Sequence, residues 1–297
     1  MITQASAIRS KHDTGLKRFI GSHPLLAVLV LAFTFTWSII LVQLAAILGL
    51  PSVPVPQPFA ILVGTYGFLW AALIVVGASD GRAGIRRLGR SYLHWRVGLR
   101  WYLLVFLGPP AYMLAGFGLY RMVGGTAATV PIAGMSPLSV LSAFLPTLLL
   151  FALLNTEEVT WRGVALPLLQ RRHSALIATL LLALVEGLWH LPYFFVPGHF
   201  IQQLGVVGFA VWNLALAIIF TWVYNSTGRS MLIVTLLHAS GNAWQPFFDT
   251  NGKMLPVYLM VGLLALIAIV VLVVNGPEHL SRGPRPALPD ATGTSIP

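Results

Sequence analysis

The sequence predicts an all-α, polytopic membrane protein with about eight transmembrane helices. Hydrophobic residues make up 57% of the 297 residues, charged residues only 9%, and the mean hydropathy is +0.83. A soluble domain carries roughly 25% charged residues, so this composition excludes an ordinary soluble enzyme. Apolar runs recur along the chain at about the 20-residue length that a helix needs to cross a bilayer. No period-2 alternation indicates a membrane β-barrel, so the runs are interpreted as helices.

Eight apolar runs are the candidates for these helices. We place the predicted spans at residues 25–50, 58–79, 101–120, 138–158, 174–197, 204–224, 230–248 and 255–274. The first run exceeds the roughly 7–15 apolar residues of a cleaved signal peptide, so we interpret it as a retained span. The fourth span is expected to continue toward Gln170 and to bend near Pro167.

Composition divides the chain into five segments. They are a basic N-terminal segment (1–24), N-terminal transmembrane helices with a basic stretch at 80–100 (25–137), a motif-bearing membrane domain (138–248), a last transmembrane helix (249–275) and a tail (276–297). The tail is rich in proline and polar residues, which predicts disorder.

The basic residues predict how the chain crosses the membrane. The net charge is +10, and arginine and lysine cluster before the first span and between the second and third. Nearly all of them fall in inside segments if the N-terminus is cytoplasmic, as the positive-inside rule requires. We therefore expect an integral protein of a bacterial plasma membrane with both termini in the cytoplasm. The stretch 80–100 is expected to lie at the interface and to bind anionic lipids, and no nucleic acid is expected as a partner.

Three carboxylates lie where charge is costly. Of the eight acidic residues, Glu157, Glu158 and Glu186 fall within the predicted spans or their extensions, as do His190 and His238. An ionised group near the bilayer centre costs from about 2.5 to more than 10 kcal/mol, so it usually faces a bundle interior or a water-filled cavity. These residues are therefore candidates for a functional site.

Helical spacing suggests how these residues pair. Residues four apart share one face of a helix. The pairs with this spacing are Glu158 with Arg162, Glu186 with His190, and His238 with Asn242. In the simplest interpretation Glu158 and Arg162 form a desolvated ion pair, and Glu157 is left to face the two histidines.

This set of residue types predicts hydrolysis. A carboxylate beside two histidines can activate a water molecule as a general base. Glu157, His190 and His238 are also candidate ligands for a divalent metal, zinc first, which would itself acidify the water. Because the chain has no cysteine, thiol catalysis and cysteine-bound zinc are excluded. The Asn242 amide can donate to a developing oxyanion, so the predicted reaction is cleavage of a peptide or amide bond within the membrane.

The motifs that contain these pairs resemble those of the CPBP family, the CAAX proteases and bacteriocin-processing enzymes also called Abi. The family pattern is EExxxR, then FxxxH, then HxxxN on successive helices. The chain has EEVTWR from Glu157, EGLWH ending at His190 and HASGN ending at Asn242. The resemblance covers roughly residues 138–248.

The resemblance implies an eight-helix intramembrane endopeptidase whose motif residues line an internal cavity. The residues that it makes candidates for the catalytic site are Glu157, Glu158, Arg162, His190, His238 and Asn242. It implies that Glu157 and His190 bind the attacking water and that His238 and Asn242 stabilise the oxyanion. Family members are described as metalloproteases, although a glutamate mechanism without a metal ligand has also been argued. The implied partner is a membrane-embedded peptide or a lipid-modified, CAAX-like protein.

Glu186 departs from the family motif, which opens with phenylalanine at this place. One turn from His190, its carboxylate is expected to accept the N–H of that ring and to set the tautomer. It is also a candidate for an added metal ligand, or it marks a site with altered or lost activity.

Two other functions stay open. Buried glutamate, histidine and arginine also suit the proton relay of a proton-coupled transporter. The sequence lacks the repeated broken helices that many transporters have, which favours the protease. The sequence alone does not dismiss a catalytically silent membrane scaffold or immunity protein that binds a partner within the membrane.

Overall fold

The computed structural model describes residues 15–126, 134–248, 250 and 252–282. Within these residues all regular structure is helical and no strand occurs, so the all-α prediction is confirmed. The main helices are α1 (Gly15–Ser22), α2 (Pro24–Ile47), α3 (Gly67–Tyr92), α4 (Leu99–Met122), α5 (Pro137–Leu154), α6 (Glu157–Thr160), α7 (Ala175–Trp189), α8 (Phe200–Ser226), α9 (Met231–Trp244) and α10 (Met254–Asn275). A short turn (Gln57–Phe59) and a π-helical segment (Ala60–Thr65) lead into α3, and α6 continues as a π-helical segment (Trp161–Ala165) and a last turn (Leu166–Leu169).

The long helices have the length and composition of membrane spans. In the described part of the chain six qualify, namely α2, α3, α4, α5, α8 and α10. The remaining predicted spans correspond to two shorter helices, the apolar α7 with 15 residues and α9 with 14. Large apolar side chains cover the outside of the bundle, such as Leu149 and Leu153 on α5, which are 62% and 58% exposed. An apolar surface of this extent needs lipid around it, so the chain is an integral membrane protein.

Serine side chains set the start of the three helices that surround the motif residues. Ser136, Ser174 and Ser230 precede α5, α7 and α9, and each hydroxyl accepts a hydrogen bond from the backbone N–H three residues later, at 3.1, 3.3 and 3.3 Å. Such a cap satisfies one of the N–H groups that a helix start leaves unpaired. The caps of α7 and α9, the two of these helices that carry motif residues, fix where each of them begins.

The fourth predicted span consists of two elements. Helix α5 ends at Leu154 and helix resumes at Glu157, so the break lies at Asn155 and Thr156 rather than near Pro167. The hydroxyl of Thr156 donates to the carbonyl oxygen of Thr65, which ties the break to the π-helical segment before α3. Pro167 lies near the start of a helical turn, where proline is tolerated. The break places Glu157 and Glu158 in the first turn of a new helix, where the helix dipole favours negative charge.

Helix α6 and its continuation lie in the centre of the bundle. Val159, Trp161 and Leu166 are at most 1% exposed. Helix α3 packs against α6, and α9 contacts α4, α5 and α6. On the other side α8 packs against both α7 and α10. The first motif is therefore surrounded by helices and is shielded from lipid.

The basic stretch at 80–100 begins as a continuation of α3. Gly81 has a φ of 62° and a ψ of −151°, a backbone conformation that kinks the helix and that only glycine adopts without strain. Helix α3 then runs on to Tyr92, and α4 begins at Leu99. The predicted binding of anionic lipids to this stretch stays a prediction.

The tail is ordered at its start. Helix α10 ends at Gly276, whose φ of 72° closes the helix. The carbonyl oxygen of Glu278 then accepts a hydrogen bond from the N–H of Ala175 at the start of α7, and Leu280 is completely buried. Residues 276–282 thus pack against α7, contrary to the predicted disorder, while residues 283–297 and the first fourteen residues lie outside the described part of the chain.

This packing predicts that the chain beyond α10 contributes to stability. Because Leu280 is 0% exposed, Leu280→Ala should cost about 2–5 kcal/mol. We expect thermal unfolding of the purified protein in detergent to shift down by several degrees. Leu266→Ala on α10 is the matched control, since that leucine is 57% exposed on the lipid-facing surface. Equal unfolding temperatures for the two variants would show that the segment does not hold α7.

Candidate active site

The motif residues meet at a cavity of about 180 Å³ inside the bundle. Its polar wall contains Glu157, Glu158, Arg162, Glu186, His190, His238 and Asn242. Its apolar wall comes from α4, α8, α9 and α10 and includes Leu104, Leu216, Leu237 and Leu264. All the residues that the sequence predicted for the site therefore border one space, with a long apolar surface beside them.

His238 lies between the two adjacent glutamates. Its Nδ1 is 2.8 Å from Oε1 of Glu158, and its Nε2 is 3.3 Å from Oε1 of Glu157. A doubly protonated ring donates from both nitrogens and satisfies both carboxylates. Glu157 does face His238, as the spacing predicted. Glu158 shares this histidine, which the simple pairing of Glu158 with Arg162 did not include.

Arg162 holds two carboxylates. Its Nη1 is 3.3 Å from Oε2 of Glu158, one turn earlier on the same helix. The guanidinium also forms a two-point contact with Glu186 on α7, through Nη1 to Oε1 and through Nη2 to Oε2 at 3.3 Å. The arginine and both carboxylates are almost completely buried. A two-point contact of this kind is the strongest geometry available to an arginine and a carboxylate.

The side chain of Glu186 therefore does not have the predicted partner. The ring of His190 contacts the backbone carbonyl oxygen of Glu186, at 2.8 Å from Nδ1, while the Glu186 carboxylate turns to Arg162. The four-residue spacing on one helix predicted a contact between the side chains of Glu186 and His190. It could not show that Arg162, on another helix, is the partner of the Glu186 carboxylate. Glu186 is connected to the other motif residues through its ion pair with Arg162.

The backbone contact decides which nitrogen of His190 can meet water. A carbonyl oxygen only accepts hydrogen bonds, so Nδ1 carries the proton and Nε2 of the neutral ring is an acceptor. His190 is the residue at which α7 ends, and Pro192 follows two residues later in the 3₁₀ segment Leu191–Phe195. Its position at a helix end allows the ring to border the cavity.

Two residues that sequence reasoning missed support the motif side chains. Gln245 donates from Nε2 to Oδ1 of Asn242 at 3.4 Å and lines the same cavity, which leaves the donor group of the Asn242 amide for a ligand. The guanidinium of Arg162 lies 5.0 Å from the ring centroid of Phe220 on α8, a cation–π contact. The three-residue spacing of Asn242 and Gln245 could have indicated the role of Gln245. No signal in the sequence indicated the contact of Phe220 with Arg162.

The residues were tested as metal ligands by their arrangement. Among the described residues no three histidine, aspartate or glutamate side chains converge in a way that could hold a metal ion. Both ring nitrogens of His238 face carboxylates, so this ring has no lone pair directed at a metal. The present arrangement does not fit a zinc site made of Glu157, His190 and His238. Zinc stays a prediction.

The shared arginine makes a prediction about stability. Arg162→Leu leaves two buried carboxylates without their cation, whereas Glu186→Phe leaves Arg162 with Glu158. Removing one partner of a buried ion pair costs about 3–5 kcal/mol. We expect Arg162→Leu to lower the unfolding temperature more than Glu186→Phe, and the double variant to be less unstable than the sum of the two. Additive losses would show that the two side chains do not act as a pair.

Comparison with known proteins agrees with this geometry. Residues 137–244 match the family model described as Type II CAAX prenyl endopeptidase Rce1-like. Over 180 residues the chain is 26% identical to CAAX prenyl protease 2 of Methanococcus maripaludis; the aligned region is 58% of this chain and spans 65% of the length of that relative. The family match contains all three motifs, from Glu157 to Asn242. These matches agree with the resemblance to the CPBP family that the three motifs carry.

Proposed function

We propose that the protein is an endopeptidase that hydrolyses a peptide bond of a lipid-modified, CAAX-like or membrane-embedded substrate. The observation that carries this proposal is that Glu157, His190 and Asn242 border one cavity with a long apolar wall, inside a bundle of membrane-spanning helices. General base, water-binding ring and amide donor are the groups that peptide hydrolysis needs. The similarity to a CAAX prenyl protease points to the same class of substrate.

In the proposed reaction Glu157 and Nε2 of His190 hold the attacking water between them. Glu157 takes a proton from this water as its oxygen bonds to the carbonyl carbon of the scissile peptide. His238 donates to the Glu157 carboxylate at 3.3 Å and to Glu158 at 2.8 Å, which keeps the base in place. The pair of Glu158 and Arg162 anchors His238 from the other side.

The second half of the reaction uses Asn242. Its amide donates to the oxyanion that forms on the carbonyl oxygen, and Gln245 holds the amide in the required orientation. When the carbon–nitrogen bond breaks, Glu157 returns the proton to the leaving nitrogen. The products are a carboxylic acid and an amine. The family resemblance also implies His238 as an oxyanion donor, but both of its ring nitrogens contact carboxylates here, so Asn242 is the donor in the proposed reaction.

The apolar wall suits a hydrophobic chain attached to the substrate. The side chains from α4, α8 and α10 offer no charge, and burial of a methylene group contributes about 0.8 kcal/mol. A prenyl or other lipid chain placed against this wall would hold the adjoining peptide bond near Glu157. Such positioning is a large part of what an enzyme contributes to the rate.

The first test is cleavage of labelled membrane peptides by purified protein in detergent, including farnesylated ones. Glu157→Gln and His190→Ala should each lower the rate by at least about 100-fold, because each removes a group that handles the proton or the water. Unfolding temperature is measured on the same samples to show that both variants fold.

Asp80→Asn is the matched control, since it removes a carboxylate that pairs with Arg87 away from the cavity. Full activity in both site variants would overturn the assignment of the base and the water-binding ring. A chain that accumulates normally and whose biological effect persists in Glu157→Gln would instead be the silent scaffold.

The second test fills the cavity. Gly241 on α9 lines it, and no atom lies within 4 Å of the place that a Cβ would occupy. Gly241→Leu should raise KM for a farnesylated peptide several-fold and leave the helix intact, because leucine is a better helix former than glycine. Gly262→Leu on α10 is the control, since Gly262 has equally open space and does not line the cavity. Unchanged KM in Gly241→Leu would place the lipid chain elsewhere.

A further inference from the structure

A second cavity, of about 240 Å³, lies on the other side of Glu157. It is bordered by α2, by the π-helical segment before α3, and by the break between α5 and α6. Glu157 lines both this cavity and the one that contains the motif residues. The candidate base Glu157 therefore borders two cavities, and the first of them is the proposed binding site for the substrate.

The two cavities differ in chemistry. Neutral hydrogen-bonding side chains line much of the second one, namely Gln43, Gln57, Thr65, Asn155, Thr156 and Tyr193. Of the described residues that line it, Glu157 alone carries a charge, so no cation is present to hold a carboxylate or a phosphate. Amides and hydroxyls that can both donate and accept are suited to water. A lipid chain in this cavity would leave these polar groups without hydrogen-bond partners, which is unfavourable.

The side-chain amide of Asn155 is a second, independent indication that the cavity holds water. Its Nδ2 is buried, and no described residue accepts a hydrogen bond from it. Buried donors are nearly always satisfied by protein or by ordered water. Asn155 lines the second cavity at the helix break. A water molecule in that cavity would accept the hydrogen bond from its Nδ2.

The mouth of the second cavity lies at one end of the bundle. Gln43, one turn before α2 ends at Ile47, and Gln57, in the short turn before α3, are both exposed. Asn155, Thr156 and Glu157 line the same cavity as these two glutamines. Hydrogen-bonding groups at the end of the bundle thus share one cavity with the candidate base.

We propose that the second cavity is filled with water and delivers the hydrolytic water to Glu157, separately from the substrate. The proposal rests on the proposed hydrolysis for its purpose, while the presence of water in the cavity can be tested alone. A lipid-modified substrate in the apolar cavity would not block this supply, because the water enters through the second cavity and moves past Glu157 to its place beside Nε2 of His190. Hydrolysis by a site enclosed in apolar helices needs such a route.

The absence of cysteine makes a direct test possible. Asn155→Cys introduces one thiol in the cavity, and the protein is placed in phospholipid nanodiscs and exposed to a methanethiosulfonate reagent with a quaternary ammonium group. This reagent modifies the thiolate, which forms in water and not in lipid. Leu153→Cys is the matched control, because this residue is 58% exposed on the lipid-facing side of α5, and about 3 Å of helix rise separates it from Asn155.

We expect Asn155→Cys to be modified at least tenfold faster than Leu153→Cys. Gln43→Cys at the mouth, against Leu41→Cys on the same helix, is a second pair in case the first variant fails to fold. Modification at equal rates in both pairs, with full modification after denaturation, would show that the cavity is dry and would overturn the proposal.

Activity then separates the two proposals. Modified Asn155→Cys should lose most of its peptide cleavage and regain it when a reducing agent removes the adduct, because the adduct displaces the water. Fast modification in a protein that cleaves no peptide would contradict the endopeptidase and keep the water-filled cavity. Full cleavage by the modified variant would keep the endopeptidase and show that its water arrives by another route.

Discussion

One buried arginine determines how the centre of this bundle is arranged. Arg162 lies among apolar helices with 3% of its surface exposed, and a guanidinium there requires partners of opposite charge. It has two, Glu158 from its own helix and Glu186 from α7, with the ring of Phe220 from α8 against its face. Any other relative position of these helices would leave a charge unpaired in an apolar interior. The ion pairs thus specify the packing more than they add to its stability.

The catalytic geometry follows from this arrangement. With Glu158 held by Arg162, its other oxygen binds His238, and the same ring reaches Glu157. The adjacent glutamates share His238, but they are about 100° apart on a helix, and only Glu158 also pairs with Arg162. One carboxylate is committed to the structure, and Glu157, with 18% of its side chain exposed, is left beside the cavities.

The break between α5 and α6 gives Glu157 its place. A continuous helix would have put this residue on the flank of a long span. Because the chain breaks at Asn155 and Thr156, the glutamate begins a new helix, between an apolar space and a polar one. In the proposed reaction the hydrophobic substrate and the water have opposite requirements for their surroundings, and the two cavities that Glu157 borders would meet both.

The sequence by itself determined the class of the protein, the residues that border the first cavity and one pair within a helix, Glu158 with Arg162. Hydropathy and four-residue spacing depend only on neighbours in the chain, so a linear pattern is enough to predict them. The partner of Glu186, 24 residues from Arg162, was decided by tertiary structure alone. So were the break at Asn155 and the second cavity. The side chain that fills a space or meets a charge depends on how separate helices pack, because the free energy of burying a charge is set by everything around it.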